Sequence, residues 1–121
     1  MLTTYRKDGS ALVSPVWFRW GDGAFEVVVA EDDIKLTHLA RDPRCVLVVF
    51  EAAPPFRGVE LRQEPQLIRK DVSAERAAIA GRYLGEESGR RFAKERSVPG
   101  VLLRFVPESP RVWDLSKILP S

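Results

Sequence analysis

Hydrophobic and polar residues alternate over most of the first thirty positions, with the period of two that is typical of β-strands. Three strands are predicted there, over positions 2–6, 11–20 and 24–30. Asp8-Gly9 and Asp22-Gly23 separate them, and Asp-Gly favours tight hairpin turns. We therefore expect an antiparallel meander. Pro15 lies inside the second strand and cannot donate to a ladder, so that strand is expected to be bulged, exposed or at an edge there.

The pattern changes to a helical one after the third strand. Asp32 and Asp33 are candidate N-caps of a short helix that begins near Ile34 and that Pro43 ends. A strand over 44–52 follows and is apolar on both faces. This predicts cover on both sides, from a closed barrel or from a second subunit.

The second half of the chain is predicted to hold more strands and two helices. Residues 56–70 are interpreted as a strand pair or as one bent strand. Helices are predicted over 73–84 and 86–96, with Gly85 between them, and strands over 101–106 and 111–115 form a last hairpin. The sum is one domain over 1–121 with six to eight strands. Its class is α+β dominated by antiparallel sheet, arranged as a barrel, with a short helix after strand three and a helical pair before the C-terminal hairpin.

Composition and charge exclude several classes of function. The 121 residues fit one domain, and a net charge of +2 argues against a polyelectrolyte role. Single-stranded nucleic acid is the least favoured partner, because few basic residues interleave with the aromatic ones. The longest apolar run, Val46–Phe50, is too short for a membrane helix, and the first residues do not form a signal peptide. We expect a cytoplasmic protein with no membrane partner.

Side chains that carry out acid–base or nucleophilic chemistry are scarce. The one histidine, His38, is expected to be solvated on the short helix, and the one cysteine, Cys45, to be a small buried hydrophobe. A Ser-His-Asp triad and a histidine metal centre are therefore not expected, and no catalytic side chain or metal ligand is assigned. If the protein is an enzyme, a bound cofactor supplies the reactivity.

Two segments carry residues that are suited to binding a ligand. Lys35, at the start of the short helix, is placed either to bind an anion or to be a solvated lysine. The segment Ser14-Pro15-Val16-Trp17 either leaves backbone groups for a planar ligand or places Trp17 in the core. For Trp113 two roles remain, a place in the core or a contact with a ligand or partner. Arg57 is expected on a solvated strand edge.

The order of these motifs resembles the split-β-barrel flavin and deazaflavin reductases of the pyridoxamine 5′-phosphate oxidase-like superfamily. The resemblance covers nearly the whole chain and is carried first by residues 3–10, 14–18 and 28–44. The later segments 57–62, 83–87 and 112–115 resemble the small actinobacterial-type members that use coenzyme F-420.

This resemblance implies an FMN-binding split-barrel fold and a homodimer with two cofactor sites at its interface. It also implies hydride transfer between a reduced deazaflavin (F-420) or FMN and a small organic acceptor. The implied cofactor-binding residues are Ser14, Pro15, Val16 and Trp17 along the ring system, Val28, Val29 and Ala30 as backbone partners, Lys35 at the phosphate, Arg57 pointing toward the cofactor, and Trp113 reaching it from the partner subunit.

The same resemblance also indicates which cofactor and which activity to expect. F-420 is favoured over FMN by the small size of the chain and by Tyr83-Leu84-Gly85, and a mildly basic groove suits its acidic tail. Ile34 stands where the vitamin-B6 oxidases have an arginine and Gln63 where many relatives have glycine. Their C-terminal arginine–histidine motif is also missing, so true pyridoxamine phosphate oxidase activity is not expected. The alternative is a flavin, F-420 or heme binding protein on the same barrel that does not catalyse a reaction.

Overall fold

The computed structural model describes residues 1–120, which form nine strands and three helices. In chain order they are β1 (Leu2–Tyr5), β2 (Ala11–Ser14), β3 (Arg19–Gly21), β4 (Ala24–Ala30), α1 (Ile34–Arg41), β5 (Val46–Phe50), β6 (Gly58–Arg62), β7 (Gln66–Ile68), α2 (Ser73–Leu84), α3 (Glu86–Lys94), β8 (Gly100–Phe105) and β9 (Arg111–Trp113).

The strands form two antiparallel sheets that share one core. The first sheet has the order β2-β1-β5-β6-β9 and the second the order β3-β4-β8-β7. Leu2, Leu47 and Leu61 of the first sheet and Val27 and Leu103 of the second are at most 1% exposed and belong to the core between them. The sheets do not close on each other, so the α+β class and the split β-barrel predicted from the sequence are confirmed.

The predicted second strand is in fact two strands in different sheets. Ser14 ends β2 opposite Leu2 in the first sheet, and Arg19 begins β3 opposite Glu26 in the second. Pro15 lies at the break, because its missing N–H and fixed φ do not fit a continuing ladder. The predicted meander is therefore wrong, and the short helix α1 follows the fourth strand rather than the third.

Two other predicted pairings are wrong because the chain again passes from one sheet to the other. Within 56–70 the chain forms neither a strand pair nor one bent strand, since β6 pairs with β5 and β9 while β7 pairs with β8. The last two strands are not a hairpin either, because β8 pairs with β4 and β7 in the second sheet. Pro65 and Pro107 lie in the segments where the chain passes from one sheet to the other.

The helix α1 begins after Asp33 and ends before Pro43, as the sequence predicts. Asp33 is the N-cap, and its carboxylate accepts a hydrogen bond of 2.9 Å from the backbone N–H of Lys35. His38 is not solvated as expected: it is buried, and its Nδ1 lies 2.9 Å from the Oγ1 of Thr4 on β1. The expectation failed because α1 packs on β1, so the side of the helix that carries His38 faces the protein.

The strand β5 is covered on both sides only at its beginning. Val46 and Leu47, which point to opposite faces, are both buried, whereas Phe50 at its end is exposed. Burial raises the pKa of the Cys45 thiol to about 12, so the expectation that Cys45 is a buried hydrophobe is confirmed.

The helices α2 and α3 pack very closely against each other at two glycines. A Cβ added to Gly89 would lie 2.5 Å from the backbone N of Gly81 and 2.8 Å from the carbonyl oxygen of Ala77. Of the two helices, α2 packs on β3, β4 and β8 of the second sheet. None of the helices formed by residues 1–120 has the length and apolar content needed to cross a lipid bilayer.

Candidate functional site

An open cavity of about 570 Å³ lies between β4, residues 15–18, the start of α1 and the α2–α3 pair. This volume is within the range of small-molecule and cofactor sites. The side chains that line it are Pro15, Val16, Trp17, Val28, Val29, Ala30, Asp33, Lys35, Arg76, Ile79, Ala80, Phe92 and Arg96.

Seven of the ten residues implied by the resemblance line this one cavity: Pro15, Val16, Trp17, Val28, Val29, Ala30 and Lys35. Ser14 is next to it as the last residue of β2. Arg57 and Trp113 are not part of its lining in the single chain.

The cavity exists because residues 15–18 leave the sheet. In the β3–β4 hairpin, Arg19 lies opposite Glu26 and Trp20 opposite Phe25. If that register continued, residues 15–18 would pair with 27–30 and fill the space. Instead the β3–β4 ladder starts at Arg19, so over 27–30 β4 is paired only with β8 among the described residues. Apart from the carbonyl oxygen of Ala30, which accepts from the backbone N–H of Asp33 at 2.9 Å, the backbone edge of β4 next to the cavity is therefore open to a ligand.

Residues 15–18 are held by the helix α2 instead of by β4. The backbone N–H of Phe18 donates to the hydroxyl of Tyr83 at 3.2 Å, and Arg82 donates to the carbonyl oxygen of Phe18. The ring of Trp17 stacks on that of Tyr83 at 5.0 Å and 12°, and it contacts Phe92 with ring centres 5.3 Å apart. Trp17 is 37% exposed. It is therefore a wall of the cavity and not the core residue that one of the two interpretations expected.

Lys35 lines the cavity but already has an anionic partner. Its Nζ lies 3.3 Å from both carboxylate oxygens of Asp33, and its side chain is only 14% exposed. The Asp33 carboxylate also caps the helix, so it occupies the place where a phosphate would meet the helix N-terminus. Lys35 thus lies at the cavity, but part of its charge is used within the protein.

Two cavity arginines were missed by the sequence reasoning, Arg76 on α2 and Arg96 just beyond α3. Arg76 donates from Nη1 to the carbonyl oxygen of Val98 at 3.0 Å, and the guanidinium of Arg96 lies 4.2 Å from the centre of the Phe92 ring. Burial lowers the pKa of Arg76, and the positive charge of Arg96 lowers it further. Within residues 1–120, neither arginine forms an ion pair with a carboxylate.

A signal for Arg76 was present in the sequence. Ile79, Ala80 and Tyr83 follow it at positions i+3, i+4 and i+7, which places the arginine on the apolar face of its helix. A charged residue at such a position is either paired in the interior or directed at a ligand. No comparable pattern marks Arg96.

Arg57 and Trp113 lie together at the far edge of the first sheet. Arg57 is exposed and donates from Nη2 and Nε to the Glu51 carboxylate, with the shorter contact at 2.6 Å. These hydrogen bonds raise the pKa of Arg57 and lower that of Glu51. Trp113 lies opposite Gly58 and packs over it, in space that a Cβ at residue 58 would need.

The charged groups of the cavity are suited to binding. They are one carboxylate, Asp33, and three basic side chains, Lys35, Arg76 and Arg96. His38 and Cys45 lie outside the lining, and the described residues hold no group of three or more His, Cys, Asp or Glu side chains placed to bind a metal ion. The arrangement therefore accommodates a ligand with an apolar, planar part and an anionic end.

Solved structures with the same fold come from several bacteria. A conserved hypothetical protein from Mycobacterium tuberculosis is 23% identical, with a TM-score of 0.80 over 99% of this chain and 79% of its own. A candidate pyridoxamine 5′-phosphate oxidase from Listeria innocua is 19% identical, with a TM-score of 0.65 over 92% of this chain and 84% of its own. An F420 reductase is also 19% identical, with a TM-score of 0.62 over 91% of this chain and 86% of its own.

These likenesses establish the fold, and the split β-barrel predicted from the sequence is confirmed. A heme storage protein from Vibrio cholerae and a heme binding protein from Mycobacterium smegmatis share it as well. The fold is therefore compatible with more than one kind of ligand. A scan against protein-family models and a search of curated proteins give no match.

Proposed function

We propose that this protein is an oxidoreductase that binds a flavin-like cofactor in the cavity beside β4. The cofactor is coenzyme F-420 or FMN, and the reaction is hydride transfer between its reduced form and a small organic acceptor. The observation that carries the proposal is the open backbone edge of β4 at residues 27–30, facing the cavity opposite Val16 and Trp17.

The walls of the cavity fit a planar ring system with a polar edge. Val16, Trp17 and Ile79 provide apolar contacts. Backbone N–H and C=O groups along Val28 to Ala30 alternate in direction, so some of them are available to the polar edge of a ring. Lys35, Arg76 and Arg96 suit the phosphate that both cofactors carry.

The chain's own residues bind and orient rather than react. The cofactor supplies the hydride chemistry when bound. Asp33, the only carboxyl group in the lining, is tied to Lys35 and to the start of α1, so it is not placed to move a proton to an acceptor. Fixing one face of the ring toward the acceptor is then the main contribution of the protein.

We further propose a homodimer formed through the outer face of the first sheet. Phe50, Gly58 and Trp113 are opposite one another across three strands, and their side chains share a face because paired residues do. Phe50 is exposed there, as is Val13 on β2. A second copy of the chain would cover these apolar groups and bring its own Trp113, and Arg57 at the same sheet edge, toward the cavity of the first.

The test is a fluorescence titration of the purified protein with F-420 and, in parallel, with FMN. We expect saturable binding of one of them, and a dimer by light scattering. Lys35→Ala should weaken binding by about threefold to tenfold, less than a fully available lysine would, because Asp33 shares its charge. Lys7→Ala, in the exposed β1–β2 turn, is the control and should bind as the wild type does. Failure of both cofactors to saturate the protein would refute the proposed function.

The alternative is a binding protein without turnover, and the structure favours a flavin-like ligand over heme for it. His38 and Cys45, the one histidine and the one cysteine of the sequence, are buried away from the cavity and do not offer an axial ligand there. A protein that binds F-420 or FMN but does not oxidise the reduced form with any acceptor would support this alternative.

A further inference from the structure

We propose that Arg76 and Arg96 form the anion-binding end of the cavity and hold the phosphate group of the bound cofactor. The inference rests on the proposed function and goes beyond it, because the family resemblance implies Lys35 alone at the phosphate. The main electrostatic contribution comes instead from one residue of α2 and one that follows α3.

The guanidinium of Arg76 is fixed at the edge of the cavity by its surroundings. Nη1 donates to the carbonyl oxygen of Val98 at 3.0 Å. Nη2 lies over Gly100, where an added Cβ would be 3.0 Å from it and 2.7 Å from the side chain of Val28. Gly100 is opposite Ala30 in the ladder, so the guanidinium is held beside the residues proposed to contact the ring. Its remaining N–H groups are available to an anion.

Arg96 adds a second charge close to the first. Its guanidinium lies against the Phe92 ring, which is itself part of the cavity wall and contacts Trp17. The contact with the ring leaves the edge of the guanidinium, where its N–H groups are, open for hydrogen bonds. The two arginines are near enough that the charge of Arg96 lowers the pKa of Arg76.

The arrangement differs from that of most other arginines in the protein. Eight of the twelve other arginines lie within 3.7 Å of a carboxylate oxygen, and four of them, Arg19, Arg44, Arg57 and Arg62, lie within 2.6 to 2.8 Å of one. Arg76 and Arg96 have no such partner in the described chain, although Arg76 is partly desolvated. Two like charges at one end of the cavity are unfavourable until an anion joins them, and charged hydrogen bonds to phosphate are among the strong ones. Lys35, by contrast, is already paired with Asp33.

The experiment compares FMN with riboflavin, which has the same ring but no phosphate. Both are titrated by fluorescence against the wild type, Arg76→Gln, Arg96→Gln and Lys35→Gln. We expect each arginine variant to weaken FMN binding by about tenfold to a hundredfold and riboflavin binding by less than about twofold. Lys35→Gln should weaken FMN binding less than either. If the wild type binds only F-420, the pair becomes F-420 and its phosphate-free chromophore.

Two controls separate a binding effect from a folding effect. Arg76→Lys keeps the charge but not the paired N–H geometry, so it should bind FMN with an affinity between those of the wild type and Arg76→Gln. Arg69→Gln removes an exposed arginine outside the cavity and should change neither ligand's affinity. Arginine variants that weaken FMN and riboflavin equally, or leave FMN binding unchanged, would overturn the proposal.

The anion site and the proposed function can fail separately. If neither flavin nor F-420 binds the wild type, the proposed function is wrong, and inorganic pyrophosphate then tests the anion site alone. Millimolar pyrophosphate should raise the melting temperature of the wild type and of Arg69→Gln, but not that of Arg76→Gln. Without that rise in the wild type, the assignment of Arg76 and Arg96 is also wrong.

Discussion

The buried hydrogen bond between Thr4 and His38 joins α1 to β1, and its removal should destabilise the fold measurably. Thr4 is 0% and His38 is 6% exposed, and Oγ1 lies 2.9 Å from Nδ1. Thr4→Val replaces a hydroxyl with a methyl group of nearly the same shape. The substitution therefore opens no void in the core, but it removes the hydrogen-bond partner of the His38 Nδ1.

The expected cost follows from that missing partner. A buried polar group left without a hydrogen bond costs about 1–3 kcal/mol. For a domain of this size, each kcal/mol lowers the melting temperature by about 4 °C, so Thr4→Val should melt about 4–12 °C below the wild type. His38→Leu alone should also destabilise, because it leaves the hydroxyl of Thr4 without a partner. The double variant removes both polar groups, and its loss should be smaller than the sum of the two single losses.

Urea unfolding of the four proteins gives the free energy of unfolding for each and closes a double-mutant cycle. We expect a coupling energy of about 1 kcal/mol or more between positions 4 and 38. If the single effects add to within about 0.5 kcal/mol, the hydrogen bond does not contribute as the geometry indicates.

Three further predictions concern packing and burial. Gly89→Ala should destabilise by about 1–3 kcal/mol despite the better helix propensity of alanine, because its Cβ would lie 2.5 Å from the backbone of Gly81. Gly81→Ala is the matched control, with its nearest contact at 3.7 Å, and should be neutral or stabilising; equal effects in urea unfolding would contradict the close packing. Burial raises the pKa of Cys45 to about 12, so iodoacetamide at pH 8 should label it only after unfolding, and rapid labelling of the native protein would be inconsistent with that burial. Because that pKa is raised in the folded state, the contribution of Cys45 to stability should be complete below about pH 9 and lost as the pH rises toward 12, as a comparison with Cys45→Ala would measure.

Local patterns predicted the elements well and their partners poorly. The helix α2 and the strand β4 have the bounds that the sequence indicated, because periodicity, Gly85 and the Asp-Gly turns are local signals. Whether the chain stays in one sheet or passes to the other depends on contacts between distant residues. Pro15, Pro65 and Pro107 lie where the chain passes from one sheet to the other, but a proline alone is equally consistent with a bulge, an edge strand or a loop.

Sequence patterns pointed to the cavity residues that lie close together along the chain. They missed the cavity residues that come from distant parts of the chain. Residues 14–17 and 28–30 and Lys35 belong to consecutive elements, and their order resembles that of a known superfamily. Arg76 on α2 and Arg96 just beyond α3 reach the same cavity from some forty or more positions further along the chain. His38 was misassigned for a related reason: its partner, Thr4, is 34 positions away, and no period within α1 reveals it.

The strand prediction and the cavity are linked by the break at Pro15. Had residues 11–20 formed the single strand that their alternation predicts, the register of β3 on β4 would have placed Trp17 opposite Val28 and Val16 opposite Val29. The backbone groups of β4 would then be paired with the protein itself, and the space between would be filled. Instead β2 ends before Pro15, residues 15–18 lie outside the ladder, Trp17 stacks on Tyr83, and the strand edge stays open. The break in the predicted strand therefore also leaves the space in which we propose that the cofactor binds.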